Sequence, residues 1–341
     1  MEYTSMDRLN DALGGTPKDR VPFFPLMGIH HMAALAGVSI KEINEDPERY
    51  VEVVTRGREE FGIDFLRTGD AGFDVPLAYG CNIRIPEVGT PLVDPLPYKF
   101  DTLEDVDNLK NPDPLRDGKL PLVHEMTQRL DEYSKGEIPL MGGFEGPFST
   151  CCRLLDADKV MRMTIKNREV LEAILDKINQ FLILLGQEVI KSGVSVVFIP
   201  EPTASCSMIS PKMFREIVLP RLQLLFSSLN AICVLHICGE TSLILNLMTE
   251  TGADILSLDQ CMDLKAVREM IPNAVIGGNV DPINSLMMGD PRTVEEDTLN
   301  CLRTAGVDKY ILMSGCGIPP EASIENIKTM FKTLKEYGLG E

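Results

Sequence analysis

The chain has 341 residues, with 51 Asp and Glu against 33 Lys and Arg, and its formal net charge is −18 at pH 7. Nucleic acids and anionic membranes bind basic surfaces, so neither is expected as a partner. No apolar run approaches the roughly 20 residues that span a bilayer. The acidic segment 1–7 does not resemble a secretory signal, and the 9 cysteines are an odd number. Free thiols and a cytoplasmic location are therefore expected.

Short apolar runs alternate along the chain with longer segments of helical periodicity. The runs lack strict alternation of polar and apolar residues, which is typical of parallel strands buried on both faces. Eight strand–helix units in 341 residues predict an α/β fold, a single-domain (β/α)8 barrel of the TIM type over residues 1–341, with a doubly wound open sheet as the alternative. The predicted strands are 21–26, 63–68, 138–142, 194–200, 231–238, 253–259, 274–278 and 310–314. The predicted helices are 41–60, 159–191, 211–229, 242–250, 264–270, 292–305 and 323–337.

Two segments lie outside this alternation. Residues 5–13 are predicted to form a short helix that precedes the barrel. Residues 75–110 are rich in Pro and Gly and contain an extended run over 82–86. This composition indicates a hairpin and loop inserted after the second strand.

Polar residues concentrate where the predicted strands end. In a (β/α)8 barrel, the catalytic residues lie at these C-terminal ends. His30 and His31 follow the first strand, and at most one would face the site because adjacent side chains on an extended chain diverge. A single carboxylate in such a place is typical of a helix cap or a solvated loop, but the repeated pattern predicts an active site. The other members of the set are Asp70, Asp74, Glu145, Glu201, His236, Cys238, Asp259, Asn279, Asp281 and Cys316.

One imidazole and two thiols within this set indicate a metal site. His236 and Cys238 are two residues apart at the end of the fifth predicted strand, so their side chains project to the same side. Cys316 follows the eighth predicted strand, and its neighbours Gly315 and Gly317 allow close approach of the backbone. Three protein ligands are typical of catalytic zinc, which keeps a fourth position open. From this spacing alone, a zinc site and ordinary buried core side chains remain alternatives.

Common signatures of other enzyme classes are absent from the sequence. No Gly-x-Gly-x-x-Gly motif follows the first predicted strand, and there is no Walker-type loop, which argues against dinucleotides and ATP. Without a Gly-x-Ser-x-Gly elbow, a Ser-His-Asp hydrolase is not supported. His124 lies in a helical run and is expected at the surface.

Several motifs resemble those of the uroporphyrinogen decarboxylase superfamily. They are His236-Ile237-Cys238-Gly239, Gly278-Asn279-Val280-Asp281-Pro282, Gly315-Cys316-Gly317-Ile318-Pro319-Pro320 with Glu325-Asn326, Gly143-Phe144-Glu145-Gly146-Pro147, and Ala204-Ser205 through Ser210-Pro211 to Phe214-Arg215. Within the superfamily they are most similar to the methylcobamide:coenzyme M methyltransferases, which carry His-x-Cys-Gly and a later Gly-Cys-Gly-Ile-x-Pro motif as zinc ligands. The resemblance covers nearly the whole chain and is closest from residue 138 onward.

The resemblance implies a (β/α)8 barrel in which His236, Cys238 and Cys316 bind Zn²⁺. It also implies a methylated corrinoid as co-substrate, presented by a small corrinoid protein docked over the barrel mouth. A thiol such as coenzyme M would accept the methyl group.

Six further residues are candidates for roles in this reaction. Glu145 is expected to be a reversible fourth ligand or a partner of a ligand, and Glu201, Asp259 and Asp281 are candidates for orienting His236. The candidates for binding the corrinoid cofactor are Asn279, Asp281 and His30.

One departure from the superfamily pattern argues against decarboxylase activity. Uroporphyrinogen decarboxylases grip a polycarboxylate with an arginine-rich segment after the first strand, whereas residues 23–31 here contain no arginine. Decarboxylation is therefore the least expected activity. Two other interpretations keep the metal. One is a demethylase component that passes methyl from a methyl ether or methylamine to a Co(I) corrinoid, and the other is a zinc-dependent corrinoid-binding or assembly partner.

Overall fold

Seven parallel strands and one antiparallel pair make up the sheets. The computed structural model describes residues 3–69, 73–84 and 92–339. The strands are β1 (Leu66–Arg67), β2 (Asn82–Arg84), β3 (Leu92–Asp94), β4 (Leu140–Gly143), β5 (Val196–Pro200), β6 (Ile232–Ile237), β7 (Ile255–Leu258), β8 (Val275–Val280) and β9 (Tyr310–Ser314). The parallel sheet has the order β1-β4-β5-β6-β7-β8-β9. All residues of β7, β8 and β9 are buried, as expected of strands covered on both faces.

The segment 21–27 joins the two edges of this sheet. Phe24 N–H donates to Leu312 O on β9 (2.9 Å), and on the other side Asp64 N–H donates to Phe23 O (3.0 Å) just before β1. The predicted first strand is present only as isolated bridges, because Pro22 has no N–H to donate to a ladder. The other seven predicted strands form, and the (β/α)8 barrel of the TIM type is confirmed.

Helices surround the parallel strands. They are α1 (Ser5–Gly14), α2 (Ile29–Ala36), α3 (Ile40–Glu45), α4 (Pro47–Phe61), α5 (Asp74–Ala78), α6 (Leu103–Val106), α7 (Leu120–Ser134), α8 (Pro147–Leu155), α9 (Ala157–Lys166), α10 (Arg168–Lys191), α11 (Pro211–Met213), α12 (Leu219–Ser227), α13 (Leu245–Thr249), α14 (Leu264–Met270), α15 (Pro291–Ala305) and α16 (Ile324–Tyr337). A 3₁₀ turn spans Pro202–Ala204, and π-helical turns span Phe214–Val218 and Pro282–Met287. Within the described residues, no helix is long and apolar enough to cross a bilayer.

Two predicted helices are each divided into two. Residues 41–60 form α3 and α4, because Asp46 precedes a proline and caps α4 through the N–H groups of Glu48 and Arg49. Residues 159–191 form α9 and α10, which are separated by Asn167. The prediction that His124 lies at the surface is wrong: it is buried on α7, where its ring contacts Ser192 Oγ (2.7 Å) and Pro114 O (3.0 Å).

The predicted insertion after the second strand is present as a short hairpin. β2 and β3 pair antiparallel, with Asn82 opposite Asp94 and Arg84 opposite Leu92. Asp94 accepts hydrogen bonds from Asn82 Nδ2 (2.9 Å) and Arg84 Nε (2.7 Å). The remainder of the extended run, Ile85-Pro86, lies outside the described residues.

A buried carboxylate holds α1 at the N-terminal end of the barrel. Asp64 is 2% exposed and lies just before β1. It accepts hydrogen bonds from Ser5 Oγ (2.9 Å), Arg8 (3.2 Å), Arg20 (2.5 Å) and Phe23 N–H (2.9 Å). The charge is therefore paired on several sides, as a buried ion requires. The C-terminal ends of β6 and β9 lie at the opposite end of the barrel, which is called the mouth below.

Candidate metal centre

Two strands deliver one imidazole and two thiols to the barrel mouth. His236 lies near the C-terminal end of β6 and is 3% exposed. Cys238 follows β6, Cys316 follows β9, and both are half-buried free thiols. Nitrogen and sulfur atoms of the three side chains all lie within 4.8 Å of one another. The structure thus brings together the three residues that the sequence predicts as metal ligands.

The distances fit a tetrahedral zinc ion. Cys238 Sγ lies 3.8 Å from Cys316 Sγ and 3.3 Å from His236 Nε2. Two thiolates that each lie ~2.3 Å from a tetrahedral zinc are about 3.8 Å apart. Thiolate and neutral imidazole donors are also those that zinc prefers. The residues present therefore suit this metal in both chemistry and spacing.

Ser257 sets the orientation of the imidazole. It is the register neighbour of His236 on β7 and is fully buried. Its Oγ lies 3.1 Å and its carbonyl O 3.3 Å from His236 Nδ1. A proton on Nδ1 donated to this residue leaves the lone pair of Nε2 directed at Cys238. The ring of Phe198 stacks on the imidazole with centroids 6.1 Å apart.

The two thiols contact each other directly, with their sulfur atoms 3.8 Å apart. The hydrogen bond with Cys238, together with His236, lowers the pKa of Cys316. The hydrogen bond with Cys316, together with burial, raises the pKa of Cys238. A lowered pKa favours the thiolate form of Cys316, which is the form that binds a metal ion.

Close backbone packing brings Cys316 to the site. A Cβ atom at Gly315 would lie 2.3 Å from the backbone nitrogen of Gln260, so a larger residue would push the loop after β9 away from the loop after β7. A Cβ atom at Gly317 would meet no atom within 4 Å. Only Gly315 therefore permits the close approach that the sequence predicts for both glycines.

Asp259 holds the loop that carries Cys238. Its carboxylate is buried and accepts hydrogen bonds from the N–H groups of Gly239 (2.8 Å) and Cys261 (3.1 Å). Its charge also helps to raise the pKa of Cys238, after the larger effects of Cys316 and burial. The imidazole of His236 contacts Ser257, whereas Asp259 binds the backbone that follows Cys238.

Glu145, which follows β4, forms a two-pronged ion pair with Arg153 of α8. Its carboxylate oxygens accept hydrogen bonds from Arg153 Nε and Nη2, each at 2.6 Å. Its charge is one of the causes that raise the pKa of Cys238. The guanidinium of Arg153 also lies 5.6 Å from the ring centroid of Phe73. Planar two-pronged pairing orients both groups.

Glu201 is fully buried next to this pair. Its carboxylate accepts hydrogen bonds from the N–H groups of Phe148 (3.3 Å) and Ser149 at the start of α8. Burial raises the pKa of Glu201 to about 8, although the hydrogen bonds from Ser149 oppose this shift.

None of the expected cofactor-binding residues belongs to the cluster of three ligands. Asn279 donates its amide to Asp259 O (3.0 Å) and Met262 O (2.8 Å). Asp281 caps the π-helical turn Pro282–Met287. Both line a cavity of about 500 Å³ that is also bounded by residues of α14 and α15. His30 is exposed at the start of α2.

The remaining polar candidates follow the first two predicted strands and do not belong to the cluster of three ligands. His31 is 2% exposed on α2, and no ring nitrogen makes a hydrogen bond of standard geometry. Asp74 begins α5. Asp70 lies outside the described residues.

Two residues of the site were not predicted. Ser257 is a lone polar residue inside an apolar strand, and the register of parallel strands beside His236 was the signal that would have found it. Arg153 is eight residues from Glu145, and only the turn into α8 brings the two together.

Comparison with known proteins gives the family of this fold and site. The model of the uroporphyrinogen decarboxylase family matches residues 4–337. The chain belongs to this family. The methylcobamide:CoM methyltransferase MtbA of Methanosarcina mazei is 30% identical over 98% of this chain and 99% of its own length. MtaA of Methanosarcina barkeri, another methylcobamide:CoM methyltransferase, is 29% identical over 98% of this chain and 99% of its own length. A solved structure of a methyltransferase from Methanosarcina mazei covers 98% of this chain and 99% of its own, with a TM-score of 0.90 and 30% identity.

Proposed function

We propose that this chain is a zinc-dependent methyltransferase that moves a methyl group from a methylated corrinoid to a thiol such as coenzyme M. The observation that carries this proposal is the convergence of His236, Cys238 and Cys316 at the barrel mouth with tetrahedral spacing. The methylcobamide:CoM methyltransferases that match nearly the whole chain support the same reaction.

The three side chains would hold Zn²⁺. The metal would supply a Lewis acid that lowers the pKa of an acceptor thiol, so that a thiolate is available at neutral pH. Ser257 keeps Nε2 of His236 free to bind, and Phe198 stacks on the imidazole ring. Asp259 fixes the loop that carries Cys238.

Glu145 is the proposed fourth ligand or partner of a ligand. Its charge reaches Cys238, and its pairing with Arg153 holds the carboxylate in a defined orientation. Carboxylate oxygen is a donor that zinc accepts beside thiolate and imidazole, so Glu145 would be able to serve as such a ligand.

The methyl donor is proposed to be a corrinoid carried by a small partner protein that docks over the mouth. The thiolate sulfur attacks the methyl carbon, the carbon–cobalt bond breaks, and its electron pair stays on the cobalt. The products are a thioether and a Co(I) corrinoid. Asn279, Asp281 and His30 remain candidates for corrinoid contacts at the rim.

The residues after the first predicted strand do not support uroporphyrinogen decarboxylation. Residues 21–27 are buried, and residues 23–31 contain no arginine to bind the carboxylates of such a substrate.

The test is incubation of the zinc-loaded protein with methylcobalamin and a panel of thiols, followed by the absorbance of the methyl–cobalt bond. Thiol-dependent loss of this absorbance supports the proposal. If no thiol reacts but a methyl ether or methylamine methylates Co(I) cobalamin, the protein is a demethylase component. If neither reaction occurs, a corrinoid-binding or assembly role replaces the proposed activity.

A further inference from the structure

Glu201 contacts both the strand that carries His236 and the helix that follows Glu145. Its backbone N–H donates to His236 O (2.8 Å) at the end of β6. Its carboxylate accepts from the N–H groups of Phe148 and Ser149 in the first turn of α8. The side chain is fully buried.

The start of α8 needs such a partner because its own sequence offers no cap. Gly146 at the N-cap has no side chain that accepts a hydrogen bond, and Pro147 has no N–H. The next two N–H groups are the ones that Glu201 binds, and a carboxylate also suits the positive end of the helix dipole. A Cβ atom at Gly146 would lie 2.0 Å from Glu201 Oε2, so glycine is required for this contact.

The position of α8 in turn sets the position of Glu145. Glu145 directly precedes Gly146, and its carbonyl accepts a hydrogen bond from Thr150 Oγ1 in α8 (2.9 Å). Gly146 N–H donates to Pro200 O (2.8 Å), next to Glu201. Arg153, which binds the Glu145 carboxylate, lies further along the same helix. The position of the Glu145–Arg153 ion pair therefore depends on a helix whose first turn is bound by Glu201.

A second contact strengthens the same junction. Ser149 Oγ lies 2.8 Å from Thr203 Oγ1, and Thr203 N–H donates to Ser149 Oγ (3.2 Å). A local serine or aspartate at the N-cap would satisfy the helix without burying a carboxylate. A buried acid from the neighbouring strand adds what a local cap does not, namely a fixed distance between α8 and the end of β6.

We propose that Glu201 is a positioning residue that fixes α8, and with it Glu145 and Arg153, against the strand that carries the proposed metal ligand His236. This inference rests on the proposed function: its activity readout requires the methyl transfer, whereas its metal-affinity readout requires only the zinc site.

The test is a double-mutant cycle between Glu145→Gln and Glu201→Gln. Each single variant is expected to lower kcat, and to weaken zinc binding in a chelator competition, by about 10-fold or more. If Glu201 acts through Glu145, the double variant matches Glu145→Gln alone within about two-fold in both readouts. If the two effects multiply, Glu201 has only a structural role and the inference is wrong. Where Glu201→Gln does not fold, Thr203→Val takes its place in the same cycle, with the same two outcomes.

Asp64→Asn is the matched control. Asp64 is also a buried, multiply bonded carboxylate, but it lies at the other end of the barrel. The losses in unfolding free energy caused by Asp64→Asn and by Glu145→Gln should therefore add in the double variant. If wild-type protein turns over no thiol, the proposed activity fails and the zinc-affinity cycle alone decides the role of Glu201.

Discussion

Ser257 Oγ lies 3.1 Å from His236 Nδ1, and the two residues are register neighbours on adjacent parallel strands. The contact leaves Nε2 as the atom that faces Cys238. Ser257→Ala removes the hydroxyl and leaves only the carbonyl at 3.3 Å. We expect zinc affinity to fall by about 10-fold or more, because partners of ligating histidines typically matter by this amount. A chelator competition measures it.

The control for this change is Ser227→Ala, an exposed serine on α12. It should bind zinc as the wild type does. An unchanged affinity in Ser257→Ala would show that the hydroxyl does not orient the ring.

The two glycines that flank Cys316 should differ in tolerance. Gly315→Ala places a methyl group 2.3 Å from the backbone nitrogen of Gln260, whereas Gly317→Ala meets nothing within 4 Å. Gly315→Ala should therefore displace the Cys316 loop and lower zinc content and activity strongly. Gly317→Ala should retain both. Equal behaviour of the two variants in metal analysis would contradict the packing described here.

Asp64 should matter for stability and not for metal binding. Asp64→Ala leaves Arg8 and Arg20 without their buried partner, so the free energy of unfolding should fall by about 3 kcal/mol or more. Asp19→Asn, which changes the more exposed partner of Arg8, should cost about 1 kcal/mol or less. Urea unfolding measures both. If folded Asp64→Ala lost zinc affinity, the N-terminal end of the barrel would not be independent of the zinc site at the mouth, and this prediction would be wrong.

His31 should make the fold less stable in mild acid. Burial lowers the pKa of His31, although the nearby carbonyls of Pro319 and Ala322 partly oppose this. The unfolded chain takes up the proton near pH ~6.5 and the folded chain only at lower pH. Stability is therefore complete above ~6.5 and is lost as the pH falls towards the folded pKa.

The measurement is urea unfolding of His31→Phe between about pH 7.5 and about pH 5, a range that spans the ordinary pKa of histidine. The variant should lose less stability over this range than the wild type does. His30→Phe, at the exposed neighbouring position, should stay closer to the wild type than His31→Phe does, because the charge of His30 lowers the pKa of His31 less than burial does. Parallel curves for all three proteins would remove His31 as a source of acid sensitivity.

The sequence predicted the elements that local patterns determine. Apolar runs mark β6 and β9, and the ligand residues follow from where these strands end. The first strand was predicted at full length because its residues are apolar, but Pro22 prevents a regular ladder there. Asn279 was placed with the cofactor because it ends a strand, whereas its amide binds the backbone of Asp259 and Met262.

Contacts between different loops could not be predicted from the sequence. Glu145 pairs with Arg153 because a helix starts directly after β4. Glu201 binds the first turn of α8 because β5 lies beside β4. The spacing of these residues along the chain indicates neither arrangement. The same holds for Ser257, whose role appears only when the strands are in register.

The most direct test of the central claim is zinc content together with thiol-dependent loss of the methyl–cobalt absorbance. It compares the wild type with His236→Ala, Cys316→Ser and the control Cys81→Ser, a buried thiol that is not one of the three ligands. The wild type and the control should bind stoichiometric zinc and demethylate methylcobalamin, and the two ligand variants should lose both. If both ligand variants bind stoichiometric zinc and remain active, the proposed metal centre is wrong.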